Sequence, residues 1–163
     1  MKKFLFLAFF VMALSTYAQK TYLQCGQLID VDKGKTHSQK TIVVYKNKIE
    51  AILDGLVSGG DLDRVIDLSQ QVVMPGFIDL HVHIENESNP KTYMSRFTEN
   101  EADVAFTATV YAKRTLMAGF TSVRDLGGSG VNIALRNAIT AGKVIGPRIF
   151  TAGKAIATTG GHA

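Results

Sequence analysis

The 163-residue chain contains 18 lysine and arginine residues against 14 aspartate and glutamate residues, a formal net charge of +4 at pH 7. It shows no basic stripe with interleaved aromatic residues, so the composition argues against a nucleic-acid-binding protein. Cys25 is the single cysteine of the sequence and therefore cannot form an internal disulfide. We expect it to be a partly buried free thiol.

Residues 1–18 have the order of features that is typical of a secretory signal peptide. Two lysines follow Met1, an apolar run extends from Phe4 to Leu14, and a Ser-Thr-Tyr-Ala stretch ends at Ala18. The apolar run is shorter than the roughly 20 residues that a helix needs to cross a bilayer, which argues against a transmembrane anchor. We therefore predict cleavage after Ala18, export to a periplasm or out of the cell, and no membrane span in the mature protein.

Residues 19–70 show the short apolar runs and turn residues of a small β-domain. Four strands are predicted, at residues 27–31, 41–45, 49–53 and 64–68, with a hairpin turn at residues 46–48. His37 lies in a polar stretch, and we interpret it as a solvated loop histidine. Short strands with a single apolar side form only a marginal sheet by themselves, so we expect this domain to be partial.

Residues 72–84 read VVMPGFIDLHVHI, two apolar runs separated by a Pro-Gly turn. Asp79, His81 and His83 occupy every second position of the second run, and residues two apart in a β-strand point to the same face. Two imidazoles one strand step apart can chelate one metal ion, and a neighbouring carboxylate can orient an imidazole. An isolated His-x-His is often only a polar strand face. The flanking apolar residues and the Pro-Gly turn favour a metal site.

Beyond a polar loop at residues 85–91, helical and extended patterns alternate. A Thr-Glu-Asn-Glu capping box at residues 98–101 begins a predicted helix that runs to Ala118, with Gly119 as its stop signal. The later elements are a strand at residues 120–126, a helix at residues 131–141 and a strand at residues 148–152. Strand, helix, strand, helix, strand is the βαβ rhythm of a parallel sheet.

Three loop features admit both a structural and a functional interpretation. The glycine-rich residues 127–130 open the second helix, but they match neither a dinucleotide fingerprint nor a P-loop, which favours a flexible loop over a phosphate site. Arg124 and Asp125 form either a structural ion pair or a lining of the site, and we favour the structural role. His162 follows two glycines and is either a substrate contact or an ordinary loop residue.

The sequence PGFIDLHVH resembles the first barrel strand of the amidohydrolase superfamily, whose signature is Pro-Gly-hydrophobic-Ile-Asp-x-His-x-His. Residues 121–128 and 158–162 resemble the branch that contains imidazolonepropionases and prolidase-like (Xaa-Pro) dipeptidases. The resemblance implies an α/β fold, the N-terminal part of a (β/α)₈ TIM barrel preceded by a partial small β-sandwich. Residues 71–163 then supply the first three β/α units of the barrel, and residues 19–70 belong to the sandwich.

The resemblance also implies the site chemistry. The site is expected to contain one or two divalent ions, and His81 and His83 are expected to bind one of them. Asp79 is expected to support the site, and His162 is expected to contact the substrate. Zinc is the first choice, with iron, manganese and nickel as alternatives. A bound metal lowers the pKa of a water to about 7 and polarises the scissile carbonyl. The resemblance implies further parts that lie downstream: a carboxylated lysine from the fourth strand, histidines from the fifth and sixth, and an aspartate from the eighth that acts in proton transfer. Lys154 precedes any fourth strand and therefore does not match that lysine.

The expected function is hydrolysis of a C–N amide bond in a small-molecule amide, a dipeptide or a cyclic amide. The alternatives are a deaminase of the same superfamily and a non-catalytic relic or binding domain. A whole barrel needs about 250 residues, so we expect the chain to be the N-terminal part of a longer product and inactive by itself. The sequence leaves open whether the full-length protein is a homo-oligomer.

Overall fold

The computed structural model describes residues 19–90 and 92–159, with the side chain of residue 96 left aside. The predicted signal peptide, residues 1–18, and His162 lie outside the described residues. The chain divides into two compact units, Met1–Pro75 and Gly76–Ala163. In the described part of the chain, no helix combines the length and the apolar character needed to cross a membrane.

The described part of the first unit is a four-stranded sheet with the strand order β3-β2-β1-β4. Strand β1 pairs antiparallel with β2 and parallel with β4, and β2 pairs antiparallel with β3. Its core is a cluster of Cys25, Leu28 and Ile42. The strands are β1 (Thr21–Asp30), β2 (Lys35–Tyr45), β3 (Lys48–Asp54) and β4 (Arg64–Val73).

Two predictions for this unit are corrected by the structure. His37 lies inside strand β2, where its Nε2 atom is 3.5 Å from a carboxylate oxygen of Asp30, so it is not a loop histidine. The polar residues 35–40 form a strand because their backbone groups pair with β1, which does not require apolar side chains. Cys25 is fully buried rather than partly buried, and this burial raises the pKa of its thiol.

The second unit follows the predicted βαβ rhythm, and this confirms the α/β fold class. In the described residues its sheet has the strand order β5-β6-β7, with both pairs parallel. Helices connect the strands, as parallel pairing requires. The elements are β5 (Phe77–Val82), α1 (Thr92–Thr98), α2 (Glu101–Met117), β6 (Phe120–Asp125), α3 (Val131–Thr140) and β7 (Arg148–Thr151).

Helix α2 starts from a different capping box than the one predicted. Asn100, rather than Thr98, is the N-cap, and its side-chain oxygen accepts hydrogen bonds from the backbone N–H groups of Ala102 and Asp103. The Asp103 carboxylate in turn accepts a hydrogen bond from the Asn100 N–H. Thr98 instead ends the preceding helix α1, which the sequence patterns did not reveal.

The apolar core of the second unit lies between the sheet and helices α2 and α3. Alanines at positions 108 and 112 of α2 are fully buried and allow the helix to pack closely on the sheet. On strand β5, Val82 packs against this core, whereas Ile78 and Leu80 are 65% and 57% exposed. The buried cluster comprises Ile84, Ala108, Ala112, Val123, Leu135 and Ile149.

Candidate metal centre

His81 and His83 come together at the carboxyl end of strand β5. Their ring centroids are 5.7 Å apart, with the ring planes inclined at 71°. Both side chains are exposed. A zinc ion binds an imidazole nitrogen at about 2.0–2.1 Å, so two rings at this separation can approach a single ion. The pair therefore fits two ligands of one divalent metal.

His83 is also held in an orientation that suits a ligand. Its Nδ1 atom lies 2.7 Å from the backbone carbonyl oxygen of Gly127. A carbonyl oxygen only accepts hydrogen bonds, so Nδ1 is the donor in this contact, and in the neutral ring Nε2 then keeps its lone pair. A ligating imidazole commonly donates its other N–H to a carbonyl in this manner.

Asp79 contacts the backbone of the motif rather than an imidazole. Its Oδ1 atom accepts a hydrogen bond from the His81 backbone N–H at 3.0 Å. The pairing of β5 with β6 also shifts register between Asp79 and Val82, so strict alternation of faces is interrupted there. A supporting role for Asp79 stays a prediction, and the structure offers a route to it through the main chain of His81.

Arg124 and Asp125 do not form an ion pair with each other in the described part of the chain. Arg124 is exposed, and its Nε atom donates to the Leu80 carbonyl oxygen at 2.7 Å. Asp125 is 1% exposed and accepts hydrogen bonds from neutral donors. These donors are the Ile84 N–H (2.8 Å), the Gly127 N–H (3.0 Å), the Asn132 side-chain amide (2.8 Å) and the Thr151 hydroxyl (3.1 Å).

The side chain of Glu85 caps the N-terminus of helix α3, which begins at Val131. It is 6% exposed, and its two carboxylate oxygens accept hydrogen bonds from the backbone N–H groups of Ser129 and Asn132, each at 2.6 Å. The N-cap residue, Gly130, has no side chain to serve these groups. The amides that an incoming phosphate would use are therefore taken by Glu85, which supports the non-phosphate interpretation of the glycine-rich loop.

The sequence patterns did not single out Glu85 or Asn132, because their contacts join separate elements. Glu85 accepts N–H groups that lie 44 and 47 residues away in sequence, and the Asn132 side chain donates to Asp125 and to the Gly153 carbonyl, 7 and 21 residues away. One signal for Glu85 was its position shortly after the end of strand β5, whereas Asn132 lies in the first turn of helix α3. The structure does not describe His162, whose role as a substrate contact stays a prediction. Among residues 19–90 and 92–159, no group of three or more histidine, cysteine, aspartate or glutamate side chains is arranged to hold a metal. A catalytic zinc usually takes three protein ligands, so the histidine pair needs further ligands.

Comparisons with known proteins give a consistent result. The sequence matches the model described as "Amidohydrolase family" over residues 72–162. Ochratoxinase from Aspergillus niger is 30% identical in an alignment of 159 residues that covers 93% of this chain and 32% of that protein.

Two solved structures are similar over nearly the whole described chain. A Xaa-Pro dipeptidase with methionine bound in its active site is 44% identical with a TM-score of 0.81, over 89% of this chain and 36% of that one. A prolidase complexed with N-methylphosphonate-L-proline is 35% identical with a TM-score of 0.76, over 88% of this chain and 34% of that one. The chain thus spans about a third of the length of the relatives it matches.

Proposed function

The chain belongs to the amidohydrolase family, and on that premise we propose that it forms part of a metal-dependent hydrolase that cleaves a C–N amide bond. We assign this activity to a full-length protein rather than to this chain, because the chain spans about a third of the length of its relatives. The observation that carries the proposal is the pair of imidazoles at the end of β5, with rings 5.7 Å apart, within a family of hydrolases.

The donor set of this chain fits a divalent metal. His81 and His83 would hold the ion, zinc being the first choice because imidazole ligands suit it. When bound, such an ion supplies a water of lowered pKa and polarises the scissile carbonyl. The Gly127 carbonyl accepts a hydrogen bond from Nδ1 of His83, which would leave the Nε2 lone pair free for the metal. The Asp79 carboxylate accepts a hydrogen bond from the backbone N–H of His81 and would help to position that residue.

A dipeptide is the proposed substrate class, with a cyclic amide as the alternative. The 44% identity with a Xaa-Pro dipeptidase and the 35% identity with a prolidase support this choice. We place His162 at the substrate on the basis of the resemblance alone. The described residues contain no group of three or more side chains arranged to hold a metal, so we expect little turnover from this chain by itself.

Export is a separate part of the proposal and has its own test. Residues 1–18 carry the features of a signal peptide, and cleavage after Ala18 would deliver the enzyme to the periplasm or outside the cell. N-terminal sequencing of protein recovered from those fractions should give Gln19 as the first residue. Recovery of an uncleaved Met1 form, retained with the cells, would contradict export.

The function is tested by assaying the full-length protein against Xaa-Pro dipeptides, other dipeptides, cyclic amides and amino-substituted heterocycles. We expect release of free amino acids from dipeptides. Replacing His81 or His83 with alanine should lower kcat/KM by more than about 100-fold, since loss of a ligand exceeds the 10–100-fold cost of losing a ligand's hydrogen-bond partner. His37→Ala is the matched control, because His37 lies on strand β2 of the first unit, and it should retain activity. Release of ammonia from heterocycles would instead indicate a deaminase, and no turnover at all would favour a non-catalytic domain.

A further inference from the structure

Asp125 is a buried carboxylate to which the proposed chemistry assigns no task. It ends strand β6, the central strand of the second unit's described sheet. Burial of a carboxylate is costly unless hydrogen bonds stabilise its charge, and here four neutral donors do so. So many convergent donors on one side chain fix the positions of the groups that carry them.

Two of the four donors belong to residues next to His83: Ile84 follows it in the chain, and Gly127 contacts its ring. Ile84 follows His83 in the chain, so the bond from its N–H to Asp125 Oδ2 fixes the peptide group that leaves His83. Gly127 donates its N–H to Asp125 Oδ1 and offers its carbonyl oxygen to His83 Nδ1. The carboxylate thus holds both the backbone of His83 and the residue that its ring contacts.

Gly127 has little freedom to compensate if this contact is lost. Its φ of +140° is a conformation that L side chains rarely adopt, and a Cβ atom there would lie 2.5 Å from the backbone nitrogen of Ala155. The Gly127 backbone is therefore packed closely against Ala155 and hydrogen-bonded to Asp125. The direction of its carbonyl follows from these two constraints.

We propose that Asp125 is a positioning residue for His83, acting through Gly127 and Ile84. By holding the Gly127 carbonyl in place, it keeps the proton on Nδ1 and the lone pair on Nε2. The inference rests on the proposed function in so far as His83 is a metal ligand. The choice of tautomer itself needs no metal, and this allows the two ideas to be tested separately.

The test is a measurement of the His83 tautomer by ¹⁵N NMR in metal-free, ¹⁵N-histidine-labelled full-length protein. A pH of about 8.5 is suitable, since an ordinary histidine with a pKa of about 6.5 is then neutral. The His83 signals are identified by their loss in His83→Gln. We expect the wild-type ring to carry its proton on Nδ1 and Asp125→Asn to give a mixture of both tautomers. The asparagine amide cannot accept at both positions, so one of the two flanking N–H groups loses its acceptor.

Glu85→Gln is the matched control, since it makes the same change in another buried carboxylate that serves two backbone N–H groups. It should leave the His83 tautomer as in the wild type. Zinc affinity should fall about 10–100-fold in Asp125→Asn and by no more than about threefold in Glu85→Gln. A merely structural role for Asp125 would lower the stability of Asp125→Asn without moving the His83 tautomer.

A wild-type His83 protonated on Nε2 would overturn the inference, and this result does not depend on the folding of Asp125→Asn. An unchanged tautomer in folded Asp125→Asn would overturn it as well. Zinc binding that survives His83→Gln unchanged would instead overturn the proposed role of His83 as a ligand, while the tautomer measurement would still decide the role of Asp125.

Discussion

Replacing Glu85 with glutamine should destabilise the second unit, because this buried side chain caps helix α3 from a distance. Its two oxygens accept the Ser129 and Asn132 N–H groups at 2.6 Å, and the N-cap Gly130 has no side chain to replace them. Glutamine has nearly the same shape but one acceptor oxygen. One of the two N–H groups then faces an amide donor instead of an acceptor.

The expected loss follows from two contributions. A buried donor left without an acceptor costs about 1–3 kcal/mol. Loss of the negative charge at the helix N-terminus removes about 0.3–1 kcal/mol, and up to about 2 kcal/mol in a partly buried geometry. Because Glu85 is only 6% exposed, screening by solvent is weak, and the two contributions sum to about 1–5 kcal/mol.

Urea unfolding followed by circular dichroism measures this loss, and amide hydrogen exchange at Ser129 and Asn132 assigns it to the helix start. Glu87→Gln is the control, since Glu87 is 60% exposed and pairs with Arg114 at 3.3 Å on the surface. Such a pair contributes at most about 1 kcal/mol. Equal losses in the two variants, or unchanged exchange at Ser129 and Asn132 in Glu85→Gln, would refute the capping role.

Two further changes test other contacts. Gly127→Ala should lower the free energy of unfolding in urea by about 3–5 kcal/mol, because the φ of Gly127 is +140° and an added Cβ would overlap the Ala155 backbone. Gly142→Ala is the control: Gly142 has a φ of +70° and open space around its Cβ position, so the loss should be about 1–2 kcal/mol. Similar losses in the two variants would contradict the close packing of Gly127. Ser69→Ala should raise the pKa of Asp67 towards its ordinary value of 3.8, since the Ser69 hydroxyl is the largest cause of its lowered pKa. The stabilisation by ionised Asp67 is present above pH 3.8 and disappears as the pH falls through the lowered pKa. An NMR titration in which the pKa of Asp67 does not rise in Ser69→Ala would contradict the role of the Ser69 hydroxyl.

The sequence predicted the parallel βαβ part of the fold well because its signals are local. Apolar periodicity and a glycine stop located helix α2, and its C-cap lies at Ala118 as expected. The observed start of helix α2 differs from the predicted one because two overlapping capping boxes occur within residues 98–103. Only the side-chain contacts in the structure decide between them. The length of β2 was underestimated because residues 35–40 are held by backbone pairing, which leaves no apolar signature.

The histidine pair could be anticipated for the same reason, since its members are two residues apart. The groups that hold the pair were not anticipated. Gly127 and Asp125 reach His83 and Ile84 across more than 40 residues of chain, through a carbonyl, two backbone N–H groups and one carboxylate. Neither composition nor periodicity carries information about such contacts, because they depend on the meeting of strand ends in three dimensions.

The metal content of the full-length protein tests the central claim most directly. Elemental analysis of protein purified without chelators should find a divalent ion in stoichiometric amount, retained in His37→Ala and lost in both His81→Ala and His83→Ala. Each variant should be shown to be folded by circular dichroism before its metal is counted. A full complement of metal in both motif variants would contradict the assignment of His81 and His83 as its ligands.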